Sequence, residues 1–394
     1  MLLVTALLLL QQPQAATLTL EQALTRSRAA RGTVAAAAAR VAAARAALRV
    51  AGAVPNPTVS YSHSESTPRY HFLVDQSLDW LLRRSRDREA ARFGIGSAEA
   101  DSSLTVAAQD REVRVVYFTA RAALAAESLS IAQTALADSV ARISAARLRG
   151  GDISLLEAEQ ARAEAARARQ NLSSVREGAQ VAASDLGRAV GLDPAAPPLP
   201  VDRLDSGLDS SAVVPVALEH VPAVRAAVAD SSSAAALARS ASVSQIPLPT
   251  LQGGAEWEDP TEPNAGALAV FGLSMPLPLW HHGAGSSAEA RARANEAAAR
   301  VREARLTAAQ QIEAIRIHLA ESRFRARFAL DTLVPAAQSL REMAVRAYQA
   351  GETDILPVLA ALRNERDATL SGLQDLLAFQ TALADWKTII DYTQ

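Results

Sequence analysis

Side chains able to carry acid–base, nucleophilic or metal chemistry are sparse in this 394-residue chain, and their spacing assembles no reaction centre. There is no cysteine, which excludes thiolate metal sites, disulfides and a lipid-modified N-terminal cysteine. Of six histidines only His281 and His282 are adjacent, and a pair alone does not complete a metal site. His63 and His71 flank a turn and are read the same way. No Ser/His/Asp set, glycine-rich phosphate loop or pocket-like carboxylate pair has motif support. An enzyme is not indicated, and neither a metal nor another cofactor is expected. The carboxylates that do recur in a pattern follow glycines: Asp152 and Glu157 after Gly150-Gly151, and Glu352 and Asp354 after Gly351. Their chemistry is negative charge at the start of a helix, where the macrodipole stabilises it and a partner can reach it.

The elements that must position these charges are two helical hairpins. One reads Arg147-Leu148-Arg149-Gly150-Gly151-Asp152-Ile153-Ser154-Leu155-Leu156, and the other Ala347-Tyr348-Gln349-Ala350-Gly351-Glu352-Thr353-Asp354-Ile355-Leu356. Glycine supplies the left-handed residue that ends one helix, and the Ser or Asp three residues on suits the start of the next. Each lies between long Ala/Arg/Glu/Leu stretches of helical period. The offset of 200 residues between Gly151 and Gly351 marks a tandem duplication, which points to a channel assembled by copies.

Composition agrees with long helices. The chain is 49% hydrophobic but only 4% aromatic, because alanine supplies most of the apolar count. Its 40 basic and 42 acidic residues nearly cancel, which excludes nucleic acid as the main partner, and Lys387 is the only lysine. Residues 1–16 read as a signal peptide, with an apolar run Met1–Leu10 but no positive start; a buried first helix is the alternative. No later segment has about 18 consecutive apolar residues, so no membrane-spanning helix is expected.

The first repeat is assigned to 17–192 and the second to 212–394, joined by a Pro-rich linker at 193–211. Thr19 and Gln22 form a capping box that opens a helix to about Val50, stopped by Pro55-Asn56-Pro57. The period then falls to 2, which predicts a strand hairpin over 58–78 with Val59, Tyr61 and Phe72 on one face. A helix from Arg84 to Gly150, on the order of 100 Å long, follows, with Leu129, Leu136 and Ile143 at heptad spacing and Val140 between them. Its tip lies at 150–154, and the return arm runs to about Val190. The second repeat gives a helix from Ala217 to Ala241 and a strand hairpin over 250–279. Leu251, Trp257, Phe271, Leu273, Met275 and Leu277 take one face there, with Gln252 and Glu256 on the other. A helix from Ser286 to Ala350, bent at Pro335, a tip at 351–354 and a return arm to Thr388 complete it. The fold class is mainly α with a small β part.

Each apolar strand face needs lipid or a partner sheet. Four strands cannot close a membrane barrel alone, since the smallest single-chain barrels use eight. Open edges in hydrocarbon cost several kcal/mol per unpaired group, so copies must pool strands if this part enters a membrane. The alternative is a small soluble sheet capping a helical bundle.

In element order and motifs the chain resembles the TolC-type outer membrane efflux protein family. The carrying residues are Leu18-Thr19-Leu20-Glu21-Gln22-Ala23-Leu24, Pro55-Asn56-Pro57, and Gln76-Ser77-Leu78-Asp79-Trp80 with Arg83-Arg84. To these are added Pro276-Leu277-Pro278-Leu279-Trp280, and Tyr348 to Leu359 preceded by Leu333-Val334-Pro335-Ala336-Ala337. The resemblance implies a homotrimer whose twelve pooled strands form one outer membrane β-barrel over a periplasmic α-barrel tunnel. It implies a passive exit conduit served by a periplasmic adaptor and, indirectly, an inner membrane pump. Gly150, Gly151, Asp152, Glu157, Gly351, Glu352 and Asp354 would form the adaptor-docking and gate tips. Val59, Tyr61, Phe72, Leu251, Trp257, Phe271 and Leu273 would face outer membrane lipid. Some members narrow the tip with carboxylates six and nine residues after the second glycine; here those places hold Pro357 and Ala360, and the first repeat has Glu157 and Gln160. Whether Asp354, Glu157 or another group forms the constriction stays open. A non-transporting periplasmic coiled-coil adaptor or scaffold is the alternative function; compact β-domains around one helical hairpin would mark it.

Overall fold

A computed structural model describes residues 17–65, 68–193, 196–209, 215–243, 245–257, 266–280 and 283–391. The signal-peptide assignment, the His281-His282 pair, residues 258–265 of the second strand hairpin, and parts of the linker lie outside the described residues. The elements in order are β1 (Thr17–Leu18), α1 (Leu20–Ala30), α2 (Gly32–Ala51), β2 (Thr58–His63), β3 (Tyr70–Ser77), α3 (Trp80–Gly150) and α4 (Leu155–Ala189). There follow β4 (Leu199–Pro200), a 3-10 turn (Leu218–His220), α5 (Pro222–Val243), β5 (Thr250–Trp257), β6 (Leu268–Ser274), α6 (Ala284–Phe328), α7 (Val334–Ala350) and α8 (Ile355–Ile390). The order helix, strand pair, long helix, return helix thus runs twice.

Several boundaries differ from expectation for local reasons. The first helix is two, because Arg31 turns extended (φ −84°, ψ 123°) ahead of Gly32. Gln109 spans this break, donating to the Ser27 carbonyl (3.1 Å) and hydroxyl (2.7 Å) while accepting from Thr33 (2.7 Å). The last strand ends at Ser274 and not Leu279, since Pro276 and Pro278 have no N–H for a ladder. Met275 and Leu277 therefore leave the strand face. Near Pro335 the ladder shifts to a π turn over Ala329–Leu333, with the Val334 N–H bonded to the Ala329 carbonyl. That longer register accommodates a proline that can neither donate nor clear the carbonyl four residues back. By length and composition alone, α3 contains one stretch as apolar as a membrane-spanning helix. Its abundant Ala, Val and Leu outweigh the few interspersed polar residues.

Contacts divide the chain into two units. One comprises Met1–Val34, Val106–Ala217 and Ala309–Gln394; the other comprises Ala35–Thr105 and Leu218–Ala308. The first has a core of Leu18, Val113, Tyr117, Phe118, Leu186, Leu319, Phe379 and Trp386. Tyr117 organises it. Its buried hydroxyl lies 2.6 Å from Asp202 Oδ2 and 2.8 Å from the Leu18 carbonyl, and accepts the N–H groups of Val201 (3.1 Å) and Asp202 (3.2 Å). The linker is thereby docked: β4 pairs in parallel with β1, Leu204 and Leu208 are buried, and Gln380 donates to the Leu204 and Ser206 carbonyls. The second unit contains one four-stranded antiparallel sheet, ordered β2-β3-β5-β6.

Candidate functional site

The two hairpin tips share one backbone solution. At the first, Gly151 sits at φ +81°, its N–H bonded to the Leu148 carbonyl (3.1 Å) and the Asp152 N–H to the Arg147 carbonyl (2.9 Å). At the second, Gly351 has φ +81°, with Gly351 N–H to the Tyr348 carbonyl (3.1 Å) and Glu352 N–H to the Ala347 carbonyl (2.9 Å). This paired closure satisfies the last free carbonyls of a helix, and its left-handed residue favours glycine.

The starts of the return helices differ. Ser154 caps α4 in a reciprocal box with Glu157: Ser154 N–H donates to Glu157 Oε2 at 2.8 Å, and Glu157 N–H to Ser154 Oγ at 3.3 Å. Glu157 is thus engaged by its own helix. Asp354 precedes α8 without a side-chain cap bond. Asp152, Glu352 and Asp354 are exposed and form no ion pair among the described residues.

The tips pack on each other. Tyr348 is buried, with its hydroxyl 2.8 Å from Ser144 Oγ. Arg147 donates to the Tyr348 carbonyl at 3.0 Å and stacks 4.7 Å over its ring. Val140, Ala161, Ile355, Val358 and Leu359 fill the space between. One layer further in, buried Glu164 accepts from Arg363 at 2.6 Å, and that contact raises the Arg363 pKa. Outside this core three leucines are left in solvent: Leu155 (65% exposed), Leu156 (68%) and Leu356 (58%). Sequence spacing points to the tip carboxylates and not to these leucines. Two adjacent leucines in a helix's first turn, of which helical geometry can bury only one side, were the available signal.

The sheet brings the seven strand residues together. Register pairs Val59 with Val74, Tyr61 with Phe72, Tyr70 with Trp257, Leu251 with Leu273 and Gly253 with Phe271. Cross-strand partners share a face, so Val59, Tyr61, Phe72, Leu251, Trp257, Phe271 and Leu273 form one surface. Phe271 is 86% exposed on it. Tyr61, Tyr70 and Trp257 cluster at one end of this face, with ring centroids 5.7 to 6.4 Å apart, and His63 stacks on Tyr70 at 4.6 Å. The opposite face carries Ser60, Ser62, Asp75, Gln252 and the His71–Glu256 pair, 2.9 Å apart. His63 and His71 are thus occupied by an aromatic ring and a carboxylate.

Residues 213–390 match the outer membrane efflux protein family. No curated protein sequence matches. Among solved structures, a membrane protein from Pseudomonas aeruginosa superposes with a TM-score of 0.78 at 18% identity, covering 95% of this chain and 90% of its own. The outer membrane protein VceC of Vibrio cholerae gives 0.75 at 18%, covering 93% and 95%. The MtrE outer membrane channel of Neisseria gonorrhoeae gives 0.67 at 17%, covering 94% and 88%. Identities this low establish shared fold. The second repeat is therefore similar to the outer membrane efflux protein family, and the chain as a whole has the fold of the TolC-type outer membrane channels.

Proposed function

We propose that this chain is one protomer of an outer membrane exit channel, a passive conduit from periplasm to exterior within a tripartite efflux system. Three copies pool their strands into a twelve-stranded barrel, and their helices line a periplasmic tunnel. The observation that carries this reading is the sheet β2-β3-β5-β6. One face is apolar, the other carries the sheet's acidic and amide side chains together with Leu73, Leu268 and Val270, and its outer strands β2 and β6 have no further partner among the described residues. Pooling strands joins those edges and places the apolar face against lipid and the polar face on water. The Tyr61, Tyr70 and Trp257 cluster suits the membrane–water boundary.

The tips complete the reading. Exposed Leu155, Leu156 and Leu356, which lie within four residues of Asp152, Glu352 or Asp354 in the chain, offer apolar and charged side chains to a periplasmic adaptor. The energy for transport comes from an inner membrane pump through that adaptor. The adaptor-or-scaffold alternative is not favoured, because it leaves the apolar sheet face unused. Fractionation tests the location: the protein should sediment with outer membranes and resist extraction by high salt. Release into the soluble periplasmic fraction would contradict the reading.

A further inference from the structure

A pocket of about 300 Å³ opens in the first unit between α3, the docked linker and the last turns of α8. Leu20, Phe118, Leu383 and Ile390 supply apolar walls, and Arg114 and Lys387 supply positive charge. The Arg114 side chain is only 9% exposed. Its Nη2 donates to Asp391 Oδ2 at 2.7 Å, while Nε and Nη1 are buried without an acceptor among the described residues. Lys387 is half-buried and forms no ion pair among those residues. Asp391 is 40% exposed and meets one guanidinium nitrogen, so it leaves the pocket with an excess positive charge.

Arg114 Nε and Nη1 are closed to solvent, so what the pocket offers a ligand directly is the Lys387 ammonium beside the buried guanidinium, and an oxyanion suits both charges. Apolar walls around an uncompensated cation are complementary to a molecule with an anionic head and a short apolar body. The volume suits a small ligand. We propose that this pocket binds a small amphipathic organic acid. Its carboxylate meets Lys387 beside the charge of Arg114, and its aliphatic or aromatic body lies against Leu20, Phe118, Leu383 and Ile390. Such a ligand bridges α3, α8 and the linker, and so ties together elements held otherwise by the Tyr117 and Gln380 hydrogen bonds. The inference stands on the pocket alone and does not depend on the exit-channel reading. A carboxylate from a second copy offers the same chemistry, and in the assembled protein it would keep a free acid out.

The test uses the full chain in lipid nanodiscs, with octanoate as the probe and octanol and sodium sulfate as controls, read by calorimetric titration and thermal melting. Octanoate should bind saturably and raise Tm with concentration. Octanol, which lacks the charge, and sulfate, which lacks the apolar body, should each act at least tenfold more weakly. Because Arg114 is buried, its replacement can unsettle the fold, so Lys387→Gln carries the main comparison. That variant should keep its ligand-free Tm and bind octanoate roughly tenfold more weakly, the loss of one charged hydrogen bond. Arg114→Lys should retain part of the binding. Failure of octanoate to bind the wild-type assembly would overturn the proposal. So would sulfate or octanol matching octanoate, or unchanged affinity in Lys387→Gln.

Discussion

Arg147, on the last turn of α3, both donates to the Tyr348 carbonyl at 3.0 Å and covers the Tyr348 ring at 4.7 Å. One side chain from the first tip thus caps the end of α7 at the second tip. Arg147→Ala removes a carbonyl cap and a cation–π contact together, worth about 1–2 kcal/mol of local stability. Amide exchange around Ala347–Glu352 should accelerate roughly 5- to 30-fold, with global unfolding little changed. Unaltered exchange there would show that the tips do not support one another.

Gly351→Val tests the tip turn. A β-branched residue at φ +81° is strained, by roughly 1–3 kcal/mol, and the turn must distort to relieve it. The stem helices are held by their own packing, so assembly and membrane insertion should persist while adaptor crosslinking and efflux fall. Wild-type efflux, or loss of assembly, would contradict the docking role proposed for this tip.

Much of this was legible in the sequence, and the reason is locality. Strand faces follow from a period of 2, and tip glycines from the left-handed turn they allow. Both signals lie within a few residues, and both reappear at Gly151, Gly351 and the seven residues of the sheet face. What escaped were partnerships between distant residues: Arg147 with Tyr348, Tyr117 with Asp202, and Gln380 with the linker carbonyls. No spacing marks a tyrosine as the anchor of a segment 85 residues away. The linker read as a break because proline removes periodicity, yet Leu204 and Leu208 are buried there. The helix break at Arg31 escaped because a single glycine in an alanine-rich run is a small local cost, and the polar cluster at Gln109 decides the outcome.

Tyr117 predicts a pH dependence. Burial, and the Asp202 carboxylate hydrogen-bonded beside it, push its hydroxyl up to about 12 from an ordinary value of 10.0. The fold therefore favours the protonated phenol. This contribution is complete below pH 10 and is lost as pH rises from 10 towards 12. Denaturant midpoints should be flat from pH 7 to about 9 and then fall, and Tyr117→Phe should be less stable at pH 8 by about 2 kcal/mol with a shallower alkaline fall. Equal alkaline slopes would remove Tyr117 as the cause.

Phe271→Arg places a charge on the apolar sheet face opposite Gly253. In a membrane barrel it should cost roughly 2–4 kcal/mol and reduce insertion, whereas Gln252→Arg on the polar face should insert normally. The reverse pattern would invert the assigned faces.

The central claim is that four strands in one chain become a closed pore only in company. The mass of the detergent-solubilised, folded protein tests it most directly. The account predicts a stable complex of three chains that yields no folded monomer on dilution. A monodisperse folded monomer would contradict it.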